Sequence, residues 1–145
     1  MISSGHYEKL QKMYLNALCN DYYQPQIKIS QGTAEVIIPV AEKFFHAANA
    51  VHGSVYFKIM DDAAFFAANS LVPDVSLLTV SFNINFIRPV TSGKMKAMGK
   101  VIYHSGKYFF SESIVYDSKG REIARGSGNF VKSAVPLSDE IGYKL

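Results

Sequence analysis

Residues 54–71 constrain the fold of this chain more than any other segment. The segment is about five helical turns long, is rich in Ala, Phe and Met, and is apolar on nearly every face. A surface helix keeps one polar face, so a helix without such a face has to be enclosed by the rest of the protein. Pro73 and Asp74 end it. The chain must therefore build a layer that wraps around this helix.

Four strand-like runs follow the helix and can supply that layer. They cover residues 75–88, 94–104, 107–116 and 121–132, and turn compositions at 89–93, 105–106 and 117–120 separate them. Three successive hairpins predict an antiparallel meander. In the first strand, apolar and polar residues alternate, which predicts one face toward the helix and one away. The apolar set is Phe82, Ile84 and Phe86, and the polar set is Asn83 and Asn85.

The segment before the central helix predicts a second helix and a short hairpin. Apolar residues recur at helical spacing within residues 3–20, with Ser3 or Ser4 as the candidate cap. Residues 26–30 and 33–40 form the hairpin around Gln31-Gly32, and residues 41–52 form a loop. We therefore expect one α+β domain over residues 1–145, in which a curved antiparallel sheet wraps a long central helix. Its parts are an N-terminal helix (1–22), a core (26–133) and a peripheral tail (134–145).

Composition limits the partners and the compartment. The chain has 145 residues, 48% of them apolar, and a net charge of +3. The Lys and Arg residues are scattered, which argues against nucleic-acid binding. Cys19 is the single cysteine, so a reducing compartment is the default. Charged residues interrupt positions 1–20, and no apolar run reaches about 18 residues, so we expect a cytoplasmic protein without a signal peptide or a membrane span.

The start of the central helix carries the candidate chemistry. His52-Gly53 leads into the helix, and the adjacent acids Asp61 and Asp62 lie within it. Burying a carboxylate costs several kcal/mol unless it is paired or hydrogen-bonded. Adjacent helical residues project about 100° apart, so only one of the two acids can face a given cleft. Two close carboxylates raise the pKa of at least one, which suits a general base near neutral pH.

The order and spacing of several short pieces resemble the hotdog-fold acyl-CoA thioesterases. The likeness is closest to the PaaI-like group and the 4-hydroxybenzoyl-CoA thioesterase type, and it spans roughly residues 30–133. The pieces are His52-Gly53, Asp61, Thr79-Val80-Ser81-Phe82, Phe86-Ile87-Arg88-Pro89, Gly106-Lys107 and residues 120–126. Together they are more specific for the fold than for the substrate.

The resemblance implies roles for three residues of this chain. Asp61 falls on the family's catalytic carboxylate, and the Gly53 N–H falls on the donor that polarises the thioester carbonyl. Thr79 falls on the hydroxyl that supports the carboxylate or the water. The resemblance also implies an acyl-CoA substrate, no metal or redox cofactor, and dimers or tetramers whose sites lie at the subunit interface and use residues from both chains.

The chain departs from the family pattern at two positions. His46 stands where the family commonly has an amide side chain that helps to orient the acid or the water, and Asn49 lies three residues out of place. His46 and Asn49 are therefore candidates for orienting Asp61 or the water, and Asn49 is also a candidate substrate contact. Ser54 replaces the second glycine of the usual His-Gly-Gly. No nucleophile elbow surrounds Ser54, so we interpret it as an N-cap or a substrate contact.

Three further residues are candidates for catalysis or substrate binding at this site. His52 either locks the loop through its ring nitrogens or joins the chemistry. Arg88 and Lys107 are candidates for binding the phosphates of CoA. The histidines show no metal-ligand spacing.

Three functions stay open from the sequence. The first is an acyl-CoA thioesterase that uses Asp61 as general base or as nucleophile. The second is a hotdog dehydratase or hydratase acting on acyl thioesters, because such enzymes pair a catalytic histidine with an acid and His46 is available. The third is a non-catalytic acyl-CoA-binding module. The acyl group is also open among phenylacetyl-type, hydroxybenzoyl-type and medium-chain groups.

Overall fold

The structure is a computed structural model that describes residues 2 and 4–145, without the side chain of Ser4. The expected cap at Ser3 or Ser4 therefore lies outside the described residues. In the described residues, two helices and six strands make up the fold, with short 3₁₀ turns at Leu18–Asp21, Glu42–Phe44 and Asp139–Ile141. In chain order the elements are α1 (Ser4–Leu15), β1 (Gln26–Ser30), β2 (Thr33–Pro39), α2 (Gly53–Asn69), β3 (Val75–Phe86), β4 (Lys94–Ser105), β5 (Tyr108–Tyr116) and β6 (Glu122–Pro136).

Helix α2 lies against one face of a single six-stranded antiparallel sheet and contacts all six strands. Small residues let it approach the sheet closely, because Ala63 and Ala64 of α2 are fully buried against Gly99 of β4. A Cβ on Gly99 would stand 2.2 Å from the Ala63 carbonyl oxygen. The enclosed helix predicted from the apolar segment is thus observed, and the sheet is the layer that wraps it.

The strand order is β1-β2-β4-β5-β6-β3, which corrects the predicted four-strand meander. Strands β4, β5 and β6 do form consecutive hairpins, but β3 pairs with β6 at the edge of the sheet and not with β4. The physical reason is that β2 already occupies the other side of β4. The segment after β3 therefore crosses the end of the sheet and is not a hairpin turn.

A β-bulge in β3 decides which of its residues face the helix. Thr79 pairs with Phe130 and Ser81 pairs with Asn129, so Val80 is an extra residue. Phe82 is half-buried against the core, as the alternation predicts. Because of the extra residue, Thr79 also faces the helix although it lies three positions from Phe82. Bulges of this kind re-aim side chains and are frequent next to active sites.

The N-terminal helix is shorter than predicted. It ends at Leu15, and Ala17 is extended before the 3₁₀ turn begins. The Asn20 side chain bonds the Tyr14 carbonyl oxygen at 2.6 Å, which occupies an acceptor at the end of the helix. The helix predicted over residues 3–20 is therefore two pieces.

The C-terminal segment packs on this first helix. Strand β6 extends to Pro136, three residues beyond the predicted core boundary at 133. Tyr143 then reaches back to His6 of α1, with the hydroxyl 2.7 Å from Nδ1. Within the described residues, no helix has the length and apolar character needed to cross a membrane.

Candidate active site

The first turn of α2 leaves one backbone donor free. His52 is the N-cap, and its Nδ1 accepts the Ser54 N–H at 3.0 Å. The expectation that Ser54 caps the helix is therefore wrong, because Ser54 is already the second helical residue. Gly53 is the first, and its N–H has no acceptor among the described residues. An unpaired N–H at a helix N-terminus carries a partial positive charge and is a ready binding point for an anion.

An open cavity of about 350 Å³ adjoins Gly53. Most of its lining is apolar, and His46 and Arg88 add the polar groups. The side chain of Tyr56 is buried, and its hydroxyl donates to the Arg88 carbonyl oxygen at 2.8 Å, which ties the segment after β3 to α2. The apolar lining residues are Ala50, Val51, Tyr56, Phe86, Ile87 and Pro89. The cavity therefore offers a mainly apolar wall beside a free backbone donor.

Asp61 lies two turns further along the same helix and faces β3. The Thr79 hydroxyl donates to Asp61 Oδ1 at 2.9 Å. Residues 53, 57 and 61 follow one another at intervals of four, so Gly53 and Asp61 share a face of α2. Between them, the Phe57 ring packs edge-on against Phe82 of β3, with ring centroids 5.7 Å apart. The candidate site is therefore a seam between α2 and the edge strand β3.

Burial raises the pKa of the Asp61 carboxyl to about 6. Loss of solvation is the largest cause, the hydrogen bond from Thr79 acts in the opposite direction, and the neighbouring Asp62 charge adds to the increase. Lys58 opposes it. A carboxylate with a pKa in this range can both hold and accept a proton near neutral pH, which is what a general base needs.

Asp62 points away from the seam, toward the N-terminal segment. The Tyr14 hydroxyl donates to Asp62 Oδ2 at 2.6 Å, and Lys58 Nζ lies 2.5 Å from the same oxygen. Lys58 also donates to Asn20 Oδ1 at 2.6 Å. Asp62 is thus satisfied within its own chain.

The loop before α2 carries two predicted site residues, His46 and Asn49, and only His46 lines the cavity. His46 lines the cavity beside Gly53, and its Nδ1 accepts the Ala48 N–H at 3.0 Å. The neutral ring of His46 therefore carries its proton on Nε2. Asn49 lies at the loop tip with φ of 64° and does not line the cavity. His46 and His52 approach each other, with ring centroids 6.4 Å apart.

The two basic candidates lie at opposite ends of the sheet. Arg88 is exposed and lines the cavity near Gly53. Lys107 is exposed in the turn before β5, where its carbonyl oxygen accepts the Lys132 N–H at 3.2 Å. One chain does not bring Arg88 and Lys107 together.

One chain also keeps Gly53 and Asp61 apart. The helix rises 1.5 Å per residue, so eight residues separate these two positions by about 12 Å. A donor and a base that act on one carbonyl group and its attacking water must both lie within about 3 to 4 Å of the reacting atoms. The Gly53 N–H and the Asp61 carboxylate of a single chain therefore cannot serve the same bond.

Sequence reasoning missed the residues that support the site. The i, i+4 spacing of Lys58 and Asp62 was a usable signal for an ion pair. No local signal could have found Tyr14, which reaches Asp62 from 48 positions away, or Tyr56 as an anchor of the segment after β3. Within the part of the chain that the structure describes, no three His, Cys, Asp or Glu residues are grouped so that they could hold a metal ion.

Comparisons with known proteins agree with this architecture. A family model described as "Thioesterase superfamily" matches residues 48–124, more than half of the chain. A "Putative esterase" of Thermoplasma volcanium is 24% identical over 106 residues, covering 73% of this chain and 79% of that protein.

Two solved structures show the same fold. The E. coli PaaI protein, from the phenylacetic acid degradation operon, superposes with a TM-score of 0.85 at 18% identity and covers 95% of this chain and 100% of that one. A thioesterase family protein from Silicibacter pomeroyi gives a TM-score of 0.77 at 20% identity and covers 85% of this chain and 96% of that one. These likenesses confirm the expected hotdog fold.

Proposed function

Because the chain belongs to the thioesterase superfamily, we propose that it is an acyl-CoA thioesterase that uses Asp61 to hydrolyse the thioester to a free acid and CoA. The observation that carries the proposal is the carboxylate of Asp61, which is held by Thr79 at 2.9 Å and has a pKa raised to about 6. Family membership supports hydrolysis of an ester or thioester, and the choice of acyl-CoA follows from the resemblance of the motifs.

Asp61 acts in one of two ways. As general base it takes a proton from water, and the resulting hydroxide attacks the thioester carbonyl carbon. As nucleophile it attacks that carbon itself and forms a mixed anhydride, which water then hydrolyses. In both routes the C–S bond breaks, and the CoA thiolate leaves and takes up a proton. The Thr79 hydroxyl holds one carboxylate oxygen and leaves the other free for the reaction.

Gly53 supplies the complementary charge. Attack on the carbonyl places negative charge on its oxygen, and a backbone N–H aimed at that oxygen stabilises the transition state. The Gly53 N–H is free because His52 caps Ser54 and not Gly53. Its position at the N-terminus of a 17-residue helix adds the partial positive charge of the helix dipole. The Nε2–H of His46, on the wall of the same cavity, is a second donor.

The geometry favours a site shared by two copies of the chain. Gly53 lies beside Phe86 at one end of β3, and Asp61 bonds Thr79 at the other. Strand β3 is an edge strand whose outer residue Val80 is 62% exposed. Antiparallel pairing with the β3 of a second copy, about a two-fold axis near Phe82, would bring Asp61 of the partner subunit opposite Gly53.

The same two-fold axis bears on the two basic candidates. It would bring Lys107 of the partner subunit toward the end of the sheet that carries Arg88. Both cations would then be available for the phosphates of one CoA molecule.

We place the reaction in the cytoplasm, because the single cysteine, Cys19, is free and exposed.

No specific observation supports the dehydratase alternative. A dehydratase that uses histidine as its base needs a ring nitrogen that is free to accept a proton from the substrate. Both His46 and His52 use Nδ1 to accept a backbone N–H, so the neutral rings carry the proton on Nε2 and have no free basic nitrogen.

A free-thiol assay on a panel of aromatic and aliphatic acyl-CoAs tests the proposal. We expect the wild-type protein to release CoA and Asp61→Asn to lower kcat by about two to four orders of magnitude. Asp74→Asn is the matched control, because it removes an exposed carboxylate outside the seam. An Asp61→Asn protein with near-normal turnover contradicts the assignment. Binding of the whole panel without thiol release would instead indicate a non-catalytic binding module.

A further inference from the structure

Two adjacent carboxylates on α2 face different elements. Asp61 bonds Thr79 of β3, whereas Asp62 turns toward α1 and bonds Tyr14. The side chains of Asp62 and Lys58 are each only 16% exposed, and their ion pair spans one helical turn. A buried ion pair contributes little net stability by itself, so stability alone does not account for this one.

Lys58 is fixed from several directions. Its ammonium group bonds Asp62 and the side chain of Asn20, at 2.5 and 2.6 Å. It also lies 5.1 Å from the ring centroid of Tyr14 and 5.3 Å from that of Tyr23, within the range of a cation–π interaction. Asn20 in turn donates to the Tyr14 carbonyl oxygen at 2.6 Å. We name Asp62, Lys58, Tyr14 and Asn20 the Asp62 cluster.

We propose that the Asp62 cluster is a positioning device for the active site: it holds the rotation of α2 so that Asp61 alone faces β3, and it keeps a balanced pair of charges beside Asp61. This inference rests on the proposed role of Asp61. None of the cluster residues touches the seam itself. The cluster acts through the helix that Asp61 and Asp62 share, and through the charge next to Asp61.

Two opposite charges, Asp62 and Lys58, act on the pKa of Asp61. In the described part of the chain, the charged groups that act on Asp61 are Asp62 and Lys58, both from α2. Strand β3 contributes only the uncharged Thr79 hydroxyl, and α1 presents Tyr14 to Asp62 and not to Asp61. The Asp62 charge raises the pKa of Asp61 and the Lys58 charge lowers it. Removing one member of the pair therefore moves the pKa, whereas removing both restores the balance.

The test is a charge cycle read out by the acid limb of kcat/KM against pH. We expect Asp62→Asn to move this limb down by about one pH unit, because Lys58 is then uncompensated. The double variant Lys58→Met/Asp62→Asn should return the limb to the wild-type position. Asp117→Asn is the matched control, because Asp117 pairs with Arg121 at the same i, i+4 spacing in the turn between β5 and β6, outside α2 and β3; it should leave the limb unchanged.

A direct titration of Asp61 by carboxyl ¹³C NMR in the intact protein gives a readout that does not depend on turnover. The resonance should show the same downward shift in Asp62→Asn and the same return in the double variant. A merely structural cluster would lower the unfolding temperature and leave the titration in place. A titration that does not move in Asp62→Asn, or that does not return in the double variant, overturns the inference.

A milder variant guards against failure to fold. Tyr14→Phe keeps every charge and removes only the hydroxyl that bonds Asp62, so we expect kcat to fall about threefold or more with KM unchanged. A wild-type kcat in Tyr14→Phe overturns the positioning role of the cluster.

The two proposals fail separately. A fully active Asp61→Asn refutes the proposed function. An inactive Asp61→Asn with an unmoved acid limb in Asp62→Asn refutes only this inference.

Discussion

The Gly53 N–H is a single backbone donor, and one substitution can remove it selectively. Proline is well tolerated at the first position of a helix, where its missing N–H breaks no helical bond. His52 precedes it with φ −63° and ψ 143°, the conformation that a residue before proline prefers. We therefore expect Gly53→Pro to lower kcat about 10² to 10³-fold with the fold retained, as measured by thiol release and circular dichroism.

Gly53→Ala is the control for this prediction, because it adds a Cβ and keeps the N–H. That Cβ would stand 3.1 Å from the Phe86 ring, which is 57% exposed and free to move aside. Activity near wild type in Gly53→Ala, together with loss in Gly53→Pro, would assign the effect to the donor. Equal losses in both variants would assign it to crowding.

Asp61 also links activity to stability. Its pKa is about 6 in the folded protein against 3.8 for the ordinary group, so the folded state binds the proton more tightly. The tighter binding of this proton stabilises the folded state below pH 4. The stabilisation is lost as the pH rises through 6, because the buried carboxyl then becomes charged. The full difference amounts to about 3 kcal/mol.

Asp61→Asn should therefore raise the free energy of unfolding at pH 7, with a gain that shrinks toward zero near pH 4. Denaturant unfolding of both proteins between pH 4 and 8 measures this difference. A gain that is the same at every pH would contradict the buried-charge explanation, because an effect of packing alone does not depend on pH.

At the residue scale, the sequence was most informative where the signal was local. His52-Gly53 and Asp61 could be singled out from the turn, the apolar helix and the resemblance. The cap is His52 and not Ser54, because the His52 imidazole accepts the Ser54 N–H two residues further along the chain, which residue type alone does not reveal. Asp62 could not be given its partner Tyr14, because that contact depends on how α1 docks on α2.

At the scale of elements, close packing of α2 on the sheet depends on small residues in β4 and β5. Ser111 and Ser113 of β5 are fully buried, and their hydroxyls have no hydrogen-bond partner within the described part of the chain. Space under the helix therefore governs the choice of residue more than hydrogen bonding does.

Gly99→Ala tests this close approach. The added Cβ would meet backbone atoms of Ala63 and Ala64 at 2.2 to 2.7 Å, and backbone atoms in a helix cannot move aside. We expect a loss of about 1 to 3 kcal/mol or more in the free energy of unfolding. Gly53→Ala makes the same chemical change against a movable ring, and it should cost far less in the same denaturant titration.

The elements themselves were largely predictable, and their pairing was not. Turn residues and alternation located every strand, because these signals lie within a few positions of each other. Strand β3 lies at the edge of the sheet because β2 pairs with β4 on the side where a meander would place β3. The pairing of β2 with β4 joins distant segments of the chain. The meander prediction failed at β3 for that reason.

At the scale of the whole molecule, the proposed function requires a second copy of the chain, because one chain keeps Gly53 and Asp61 about 12 Å apart along α2. Mixing two inactive proteins tests this dependence. In a mixed dimer of Gly53→Pro and Asp61→Asn subunits, one site carries both substitutions and the other carries neither. Random reassembly of an equal mixture should restore about a quarter of the wild-type sites.

The readout is thiol release after the two variants are unfolded together and refolded, with each variant refolded alone as the control. Restored turnover in the mixture supports a site that two subunits share. Turnover that stays at the level of the separate variants contradicts it, provided that exchange of subunits is shown by mass spectrometry.

The extra residue in β3 has a consequence for how this chain varies through evolution. Loss of one codon at Val80 leaves Thr79 and Phe82 on the face that meets α2, because the strand simply becomes regular there. Loss or gain of a codon between residues 82 and 86 turns the residues beyond it to the opposite face. Alignments of related sequences should therefore place length differences in this strand at position 80.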